Sequence, residues 1–305
     1  ESRGLGDVYK RQKSNKESVK TMKTNKNILV VMPVEDEHKK TLEKHAKGSH
    51  FVYSSYDKVT PEMIKEANII IGNVAPFYLK EAKNLEWLQL NSAGADPYVK
   101  KGVLPENVIL TNATGAYGPG VAEHMLAVLF SLQKKLHLYR DNQNQCQWHD
   151  EGAVMSLRGG TLLIVGLGDI GLYFARLMKN FGYHIIGIKR RLGQVPQDVD
   201  ELHTMDDLDK LLPEADVVFS VLPDSKATRN IYNKQRFKEM KNTAILLNAG
   251  RGSAVNTEDL CEALIQGEIY GAGLDVTDPE PLQTQHKLWN LSLIHIYEPT
   301  RLLSI

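Results

Sequence analysis

Cysteine is scarce in this sequence, where only Cys146 and Cys261 occur among 305 residues. Two cysteines cannot form a disulfide framework, and no Cys/His spacing typical of a metal site is visible, so no metal is expected. The expected location is therefore a reducing, cytoplasmic one. Long apolar runs are also lacking. The longest, Val121 to Leu132, is too short to span a bilayer, and no secretory signal is visible.

An excess of charge of either sign is missing as well, because 37 Lys and Arg residues balance 37 Asp and Glu residues. A net charge of zero gives no general field that would favour nucleic acid or an anionic membrane as a partner. Hydrophobic content of 42% and charged content of 24% are ordinary for a globular protein. The length allows two domains, each with its own core.

The two ends of the sequence are expected to be adapter-derived. Residues Ser2 to Gln12 read SRGLGDVYKRQ, and Leu291 to Arg301 read LSLIHIYEPTR. One DNA string encodes the first peptide, and its reverse complement encodes the second except at Tyr297. A sequencing-library adapter explains this pair; two unrelated natural tails are the alternative. Such ends are excluded from fold reasoning, which leaves Lys13 to Asn290 as the biological segment and Met22 as the candidate start.

Short apolar runs alternate with helical stretches along that segment, as buried strands do in an α/β protein. The predicted strands are Asn27–Met32, Ala67–Ile71, Leu85–Leu90, Thr161–Val165, His184–Ile188, Ala215–Val221, Ala244–Leu247 and Tyr270–Val276. Strands that alternate with helices predict parallel, doubly wound sheets. A long helix is expected from Gly118 to Tyr139, buried in a core or in a subunit interface because its first half is apolar nearly all round.

The sequence GLGDIG (Gly166 to Gly171) follows a predicted strand and opens a helix. This is the context of a dinucleotide-binding turn. Gly166 permits the tight turn, Gly168 lets the backbone approach a pyrophosphate, and Gly171 allows the helix to pack on the strand. A purely structural turn is the alternative. The second strand ends in Lys189-Arg190-Arg191, where NAD enzymes usually place an acid. Three cations there favour NADP(H) over NAD(H); a solvated basic turn is the alternative.

Arg251 and Glu280 follow two later predicted strands, at the sheet edge where ligands bind. A guanidinium suits a planar carboxylate because it can donate two parallel hydrogen bonds. A glutamate can hold a histidine in one tautomer and raise its pKa. The pair therefore predicts chemistry on a small 2-oxo or 2-hydroxy acid, with a surface salt bridge as the alternative.

From about Asn27 to Asn290 the chain resembles the D-isomer-specific 2-hydroxyacid dehydrogenases. The motifs are NSAGAD (from Asn91), TNATGAYGPGVAEHML (from Thr111), GLGDIG, VLPDSKATR (from Val221), NAGRG and GLDVTDPEPL. The resemblance implies a Rossmann dinucleotide-binding domain and a smaller flavodoxin-like substrate domain. It divides the chain into a non-native or untranslated leader, expected to be disordered (1–21), a substrate domain (22–113), an NAD(P)-binding domain (114–283), the start of a return segment (284–290) and a non-native tail (291–305).

The resemblance also implies residue roles. Backbone N–H groups of Ser92, Ala93 and Gly94 would hold the substrate carboxylate together with Arg251. The implied cofactor contacts are Gly166, Gly168, Asp169, Ile170, Gly171, Lys189, Arg190, Arg191, Leu222, Pro223, Ala249 and Asp275. The implied reaction is NADPH-dependent reduction of glyoxylate or hydroxypyruvate to the D-2-hydroxy acid, with Arg251 and Glu280 catalytic. A homodimer formed through the Gly118 to Tyr139 region is also expected from the family.

The family's proton-transferring histidine follows a Leu-Trp element like Leu288-Trp289, which would place it near Pro299. That histidine is absent, so this chain is expected to be a truncated, inactive copy. His295 falls in the adapter-derived tail, His286 is expected in a surface loop, and His124 is expected to be a structural residue of the long helix. The alternatives left open are a formate or phosphite dehydrogenase, a phosphoglycerate dehydrogenase, and a non-catalytic NAD(P)-sensing corepressor of the same fold.

Overall fold

The computed structural model describes residues 25–156 and 158–291, together with the backbone of 294–296. The predicted leader and most of the predicted tail, including position 299, lie outside these residues. The chain divides into two compact units, and the division falls between Ala116 and Tyr117. We call these unit 1 and unit 2.

Unit 1 is built on a five-stranded sheet in which every pair of neighbours is parallel. Its strands are β1 (Asn27–Val31), β2 (His50–Tyr53), β3 (Ile69–Gly72), β4 (Trp87–Gln89) and β5 (Ile109–Thr111). Among its described residues the helices are α1 (Asp36–His45) and α2 (Pro61–Glu66), and a 3-10 helix spans Pro76–Glu81. The strand order β2-β1-β3-β4-β5 is the flavodoxin-like order, and the predicted fold class is confirmed here.

Unit 2 has a seven-stranded parallel sheet in the order β12-β11-β10-β9-β6-β7-β8. The strands are β6 (Thr161–Val165), β7 (His184–Ile188), β8 (Glu201–His203), β9 (Val217–Ser220), β10 (Ile245–Asn248), β11 (Gly271–Leu274) and β12 (Ile294–Ile296). The helices are α3 (Gly118–Gln133), α4 (Leu136–Asn144), α5 (Asp169–Lys179), α6 (Leu208–Leu211), α7 (Lys234–Glu239) and α8 (Thr257–Gln266). The order reverses direction beside β6, as in a Rossmann fold.

The long helix expected from Gly118 to Tyr139 is wrong as a single element. The structure ends α3 at Gln133 and begins α4 at Leu136, because Lys135 adopts a left-handed conformation with φ of 55°. The apolar residues of α3 are used inside unit 2, where Val121, Met125 and Leu129 pack in one core cluster. Burial in a core, one of the two expectations for this segment, is therefore what the structure has.

Residues 284–290 lie in unit 2. Leu288 is fully buried in the same core cluster as the buried residues of α8, within a 3-10 helix over Lys287–Asn290. Beyond it, β12 runs parallel to β11 and pairs His295 with Gly273. In the described part of the chain no helix is long and apolar enough to cross a membrane.

Candidate functional site

The glycine-rich motif forms the turn between β6 and α5. Gly166 has φ of +102°, and a Cβ there would lie 2.4 Å from the carbonyl oxygen of Val221. Only glycine fits such a position. At Gly168, by contrast, a Cβ would meet no atom within 4 Å, and no side chain caps the start of α5. The turn therefore leaves open space in front of an uncapped helix N-terminus.

The first turn of α5 carries Asp169, Ile170 and Gly171. Helix geometry leaves the N–H groups of a first turn without acceptors inside the helix. The positive end of the helix dipole lies at the same place. Gly171 is buried, and a Cβ there would lie 3.0 Å from a side-chain carbon of Ile164 in β6. This close packing directs the N-terminus at the open space, an arrangement suited to a phosphate anion.

Three cations follow β7 directly. Arg190 and Arg191 are exposed and Lys189 is half-buried. The backbone N–H of Lys189 donates to the carbonyl of His203 in β8 (3.0 Å), so the start of this basic segment is anchored to the sheet. No acid stands where an NAD-binding strand usually has one.

The ends of β9 and β10 lie beside the glycine-rich turn because β6, β9 and β10 are consecutive neighbours in the sheet. Leu222 is buried, Pro223 is exposed, and Ala249 is buried with its N–H donating to the carbonyl of Ser220 (3.0 Å). The predicted cofactor-binding residues of unit 2 thus gather at one edge of one sheet.

Arg251 leaves β10 in a loop that packs tightly on the loop after β11. Asn248 ties the two together: its carbonyl accepts from the N–H of Asp275 (3.0 Å), and its Nδ2 donates to the carbonyl of Arg251 (3.0 Å). A Cβ on Gly252 would lie only 2.0 Å from the carbonyl of Thr277. The conformation of the loop that carries the guanidinium therefore depends on glycine at position 252.

Glu280 follows the second of these loops and shares an electrostatic environment with Asp275 and Arg251. Partial burial of its carboxyl raises the pKa of Glu280, the negative charge of Asp275 raises it further, and the positive charge of Arg251 lowers it. The structure therefore brings these three side chains together. Asp275 is the most enclosed, with 5% of its surface exposed.

His124 belongs to the same cluster, which the sequence did not indicate. Its Nε2 lies 4.0 Å from Oδ1 of Asp275, and 29% of its side chain is exposed. The expectation that it is a structural residue of the helix stays a prediction, and the structure adds that its side chain lies near Asp275. One signal in the sequence could have suggested that His124 lies near the site. It lies in the first two turns of α3, shortly after the boundary between the units.

His286, expected in a surface loop, directly precedes the 3-10 helix over Lys287–Asn290, and 12% of its side chain is exposed. Its Nε2 lies 3.4 Å from Oε1 of Glu258, and its Nδ1 accepts from the N–H of Leu288 (3.2 Å). His295 is described by its backbone alone, paired with Gly273.

In unit 1, Ser92, Ala93 and Gly94 form a loop whose carbonyl groups are all occupied. They accept from the N–H of Ala113 (3.0 Å), from Nδ2 of Asn112 (2.7 Å) and from Oγ of Ser92 (2.9 Å), respectively. Among the described residues, no acceptor takes the N–H groups of these three residues. The loop therefore presents backbone donors, which is what binding of a carboxylate requires.

A metal centre has no counterpart in the described residues, which contain no group of three or more His, Cys, Asp or Glu side chains able to hold an ion.

The family model described as D-isomer specific 2-hydroxyacid dehydrogenase, NAD binding domain, matches residues 126–297. This range contains the glycine-rich turn, the basic segment and both Arg251 and Glu280.

Two relatives match over most of their length. A probable 2-ketogluconate reductase from Dictyostelium discoideum is 30% identical over 91% of this chain and 86% of its own. Glyoxylate/hydroxypyruvate reductase B from Enterobacter sp. (strain 638) is 27% identical over 87% of this chain and 85% of its own. Among solved structures, a D-isomer specific 2-hydroxyacid dehydrogenase family protein from Aeromonas salmonicida subsp. salmonicida A449 is 32% identical, with a TM-score of 0.79 over 89% of this chain and 88% of that one.

Proposed function

The chain belongs to the D-isomer specific 2-hydroxyacid dehydrogenases, oxidoreductases that act on CH–OH groups, and we propose that its parent enzyme reduces a small 2-oxo acid with NADPH to the D-2-hydroxy acid. Glyoxylate and hydroxypyruvate are the substrates put forward, since a reductase of both is among the relatives. The observation that carries the proposal is the cluster of Arg251, Asp275 and Glu280 in unit 2, in the loops after β10 and β11.

The glycine-rich turn fits the pyrophosphate of a dinucleotide. The space beside Gly168 is open and the N-terminus of α5 is uncapped, so N–H groups of Asp169, Ile170 and Gly171 can reach an anion. The exposed cations Arg190 and Arg191 support NADP(H) over NAD(H), because the extra phosphate of NADP(H) carries negative charge that an acid would repel.

Leu222, Pro223 and Ala249 would line the path of the cofactor from the turn towards Asp275. When bound, the nicotinamide supplies or accepts the hydride. Arg251 would bind a substrate carboxylate and polarise the C2 oxygen. The backbone N–H groups of Ser92, Ala93 and Gly94 in unit 1 are suited to donate to a carboxylate as well. Glu280 would orient the group that carries the proton to the C2 oxygen.

We further propose that this chain turns over poorly. The resemblance to the family implies a histidine that is hydrogen-bonded to the glutamate in the position of Glu280. Here the charged side chains that shift the pKa of Glu280 are those of Asp275 and Arg251, and no histidine of the described residues is among them. His124 is next to Asp275, and the side chain of His295 lies outside the described residues.

Association and location stay predictions. We propose a homodimer, as the family resemblance implies, with the exposed Leu136 and Tyr139 of α4 (55% and 37% exposed) in its interface. Light scattering on the purified chain at several concentrations tests it; a monomer at all concentrations would contradict it. The cytoplasmic location is likewise a prediction from composition alone.

The function is tested by following NADPH absorbance with glyoxylate and with hydroxypyruvate, alongside a separate titration of NADPH binding. We expect binding of NADPH and little or no turnover. A chimera in which the corresponding C-terminal segment of the Enterobacter relative replaces residues 291–305 is expected to reduce one of the two acids, and Arg251→Met in the chimera is expected to abolish this.

Two outcomes contradict the proposal. A chimera that binds NADPH tightly but turns over no 2-oxo acid would favour the non-catalytic, nucleotide-sensing alternative. Turnover by the unaltered chain that His295→Ala removes would refute the proposal of poor activity and make His295 the proton carrier.

A further inference from the structure

Unit 1 contains a cleft of about 1060 Å³ at the carboxyl edge of its sheet. It is lined where β1, β2 and β3 end, by residues that include Val31, Tyr53 and Asn73. Ligands of parallel α/β sheets bind at this edge. Clefts of about 300–1,000 Å³ hold drug-sized molecules, so this one is far larger than a two-carbon acid requires.

The charged side chains that line the cleft are all positive. Lys39 and Lys58 line it, and among the described residues of its lining there is no carboxylate. The remaining polar lining consists of hydroxyl and amide groups, among them those of Ser54, Tyr56 and Asn91. Such a surface can donate hydrogen bonds to an anion and offers it no like charge in direct contact.

Both lysines have acidic neighbours outside the lining. Nζ of Lys39 lies 3.1 Å from Oδ1 of Asp36 on the same turn of α1 and 5.6 Å from the centre of the Tyr53 ring. Lys58 is close enough to Asp57 to lower the pKa of that carboxyl, although hydrogen bonds to Ser55 and the backbone lower it more. Exposed pairs of this kind contribute little, so an incoming anion can compete for the ammonium groups.

The cleft is continuous with the loop proposed to hold the substrate carboxylate. Asn73 and Asn91 both line it, and Oδ1 of Asn91 accepts from the backbone N–H of Asn73 (2.9 Å). Nδ2 of Asn73 in turn donates to Oγ of Ser92 (3.1 Å), the first residue of the loop. A molecule whose carboxylate is held at Ser92 can therefore extend into the cleft.

We propose that this cleft binds the far end of a longer 2-oxo acid that carries a second anionic group, a carboxylate or a phosphate, and that Lys39 and Lys58 select for it. The inference rests on the proposed function, since it assigns the substrate class of the same site. It directs the choice of substrate from glyoxylate towards extended dianionic acids.

The test is calorimetric titration of the chain loaded with NADP⁺, which has no hydride to transfer. The probes are 2-oxoglutarate and 2-oxopentanoate, which have equal carbon chains and differ in the terminal carboxylate; 3-phospho-2-oxopropanoate tests the phosphate. We expect 2-oxoglutarate or the phosphate to bind about five- to tenfold more tightly than 2-oxopentanoate at low salt, and the difference to shrink as salt is added.

The matched variants separate charge from general effects. Lys39→Met with Lys58→Met is expected to abolish the preference, whereas Lys40→Met, the exposed next residue of α1 outside the cleft, is expected to leave it. Equal binding of all three acids, or a preference that survives the double substitution, would overturn this inference alone. If NADP⁺ binds but none of the acids does, the inference and the proposed function both fail.

Discussion

Gly252 and Thr277 touch backbone to backbone: a Cβ on the glycine would lie 2.0 Å from the carbonyl carbon and oxygen of the threonine. The contact joins the loop that carries Arg251 to the loop that leads to Glu280. Backbone packing therefore constrains the two loops that carry these charged residues.

Gly252→Ala is therefore expected to destabilise unit 2. The added methyl meets backbone, which cannot turn aside as a flexible side chain can, and such overpacking costs about 3 kcal/mol. Urea unfolding measures the change. Gly193→Ala is the control, since a Cβ at Gly193 would meet nothing within 4 Å, and it should differ little from the wild type. Equal stability of the two variants would show that the loops can separate without cost.

Gly168→Ala is expected to do the reverse, sparing the fold and weakening the cofactor. The position is open and its backbone is extended, with φ of −105° and ψ of −150°, so no left-handed conformation requires glycine there. The methyl would occupy the space into which a pyrophosphate comes closest, so the Kd for NADPH should rise about tenfold, or about 1.4 kcal/mol. Fluorescence titration of NADPH and urea unfolding on the same sample check both parts. Unchanged affinity would remove the turn from the proposed cofactor site.

The inner strands of both sheets could be predicted because burial on two faces demands continuous apolar runs, as in Thr161–Val165. β2, β5 and β8 could not, because each lies at a sheet edge, where a continuous apolar run is not required. The sequence of β8, Glu201–His203, carries a charged residue at its start, and nothing in it distinguishes an edge strand from a loop.

The candidate site was partly predictable for a related reason. Gly166, Arg251 and Glu280 could be identified from the sequence because each follows a predicted strand, where a glycine or a charged residue indicates a ligand site. His124 does not, since its contact with Asp275 joins residues far apart in the chain. The apolar pattern of a helix predicts which of its faces is buried. It does not predict which strand end that face contacts, because this depends on the order of the strands in the sheet.

The basic segment after β7 gives a prediction on cofactor choice. Replacing Arg190 and Arg191 together by alanine should weaken NADPH by about tenfold and NADH much less, because only NADPH carries the extra phosphate. Titrations of both cofactors at low salt measure this. Arg176→Ala, an exposed arginine later in α5, is the control and should affect neither. A parallel loss of NADH affinity would mean that the arginines act on the fold or on the shared pyrophosphate.

The raised pKa of Glu280 predicts how stability changes with pH. The folded state holds this proton more tightly than the unfolded state, mainly because burial disfavours the charged carboxylate, with Asp275 adding to the effect. The resulting stabilisation is complete below the ordinary glutamate pKa of about 4.3 and is lost as the pH rises through the raised value. The Glu280→Gln variant has no titrating group at this position. Its free energy of unfolding should therefore increase relative to that of the wild type as the pH rises through that window.

Urea midpoints of the wild type and of Glu280→Gln, measured from about pH 4 to about pH 7, test this. The exposed Glu239→Gln in α7 serves as the control for removing one negative charge from unit 2. A difference between wild type and Glu280→Gln that grows with pH, beyond the one for Glu239→Gln, is the expected result. A constant difference would mean that Arg251 balances burial and Asp275 at this carboxyl, and one that falls as the pH rises would mean that it outweighs them.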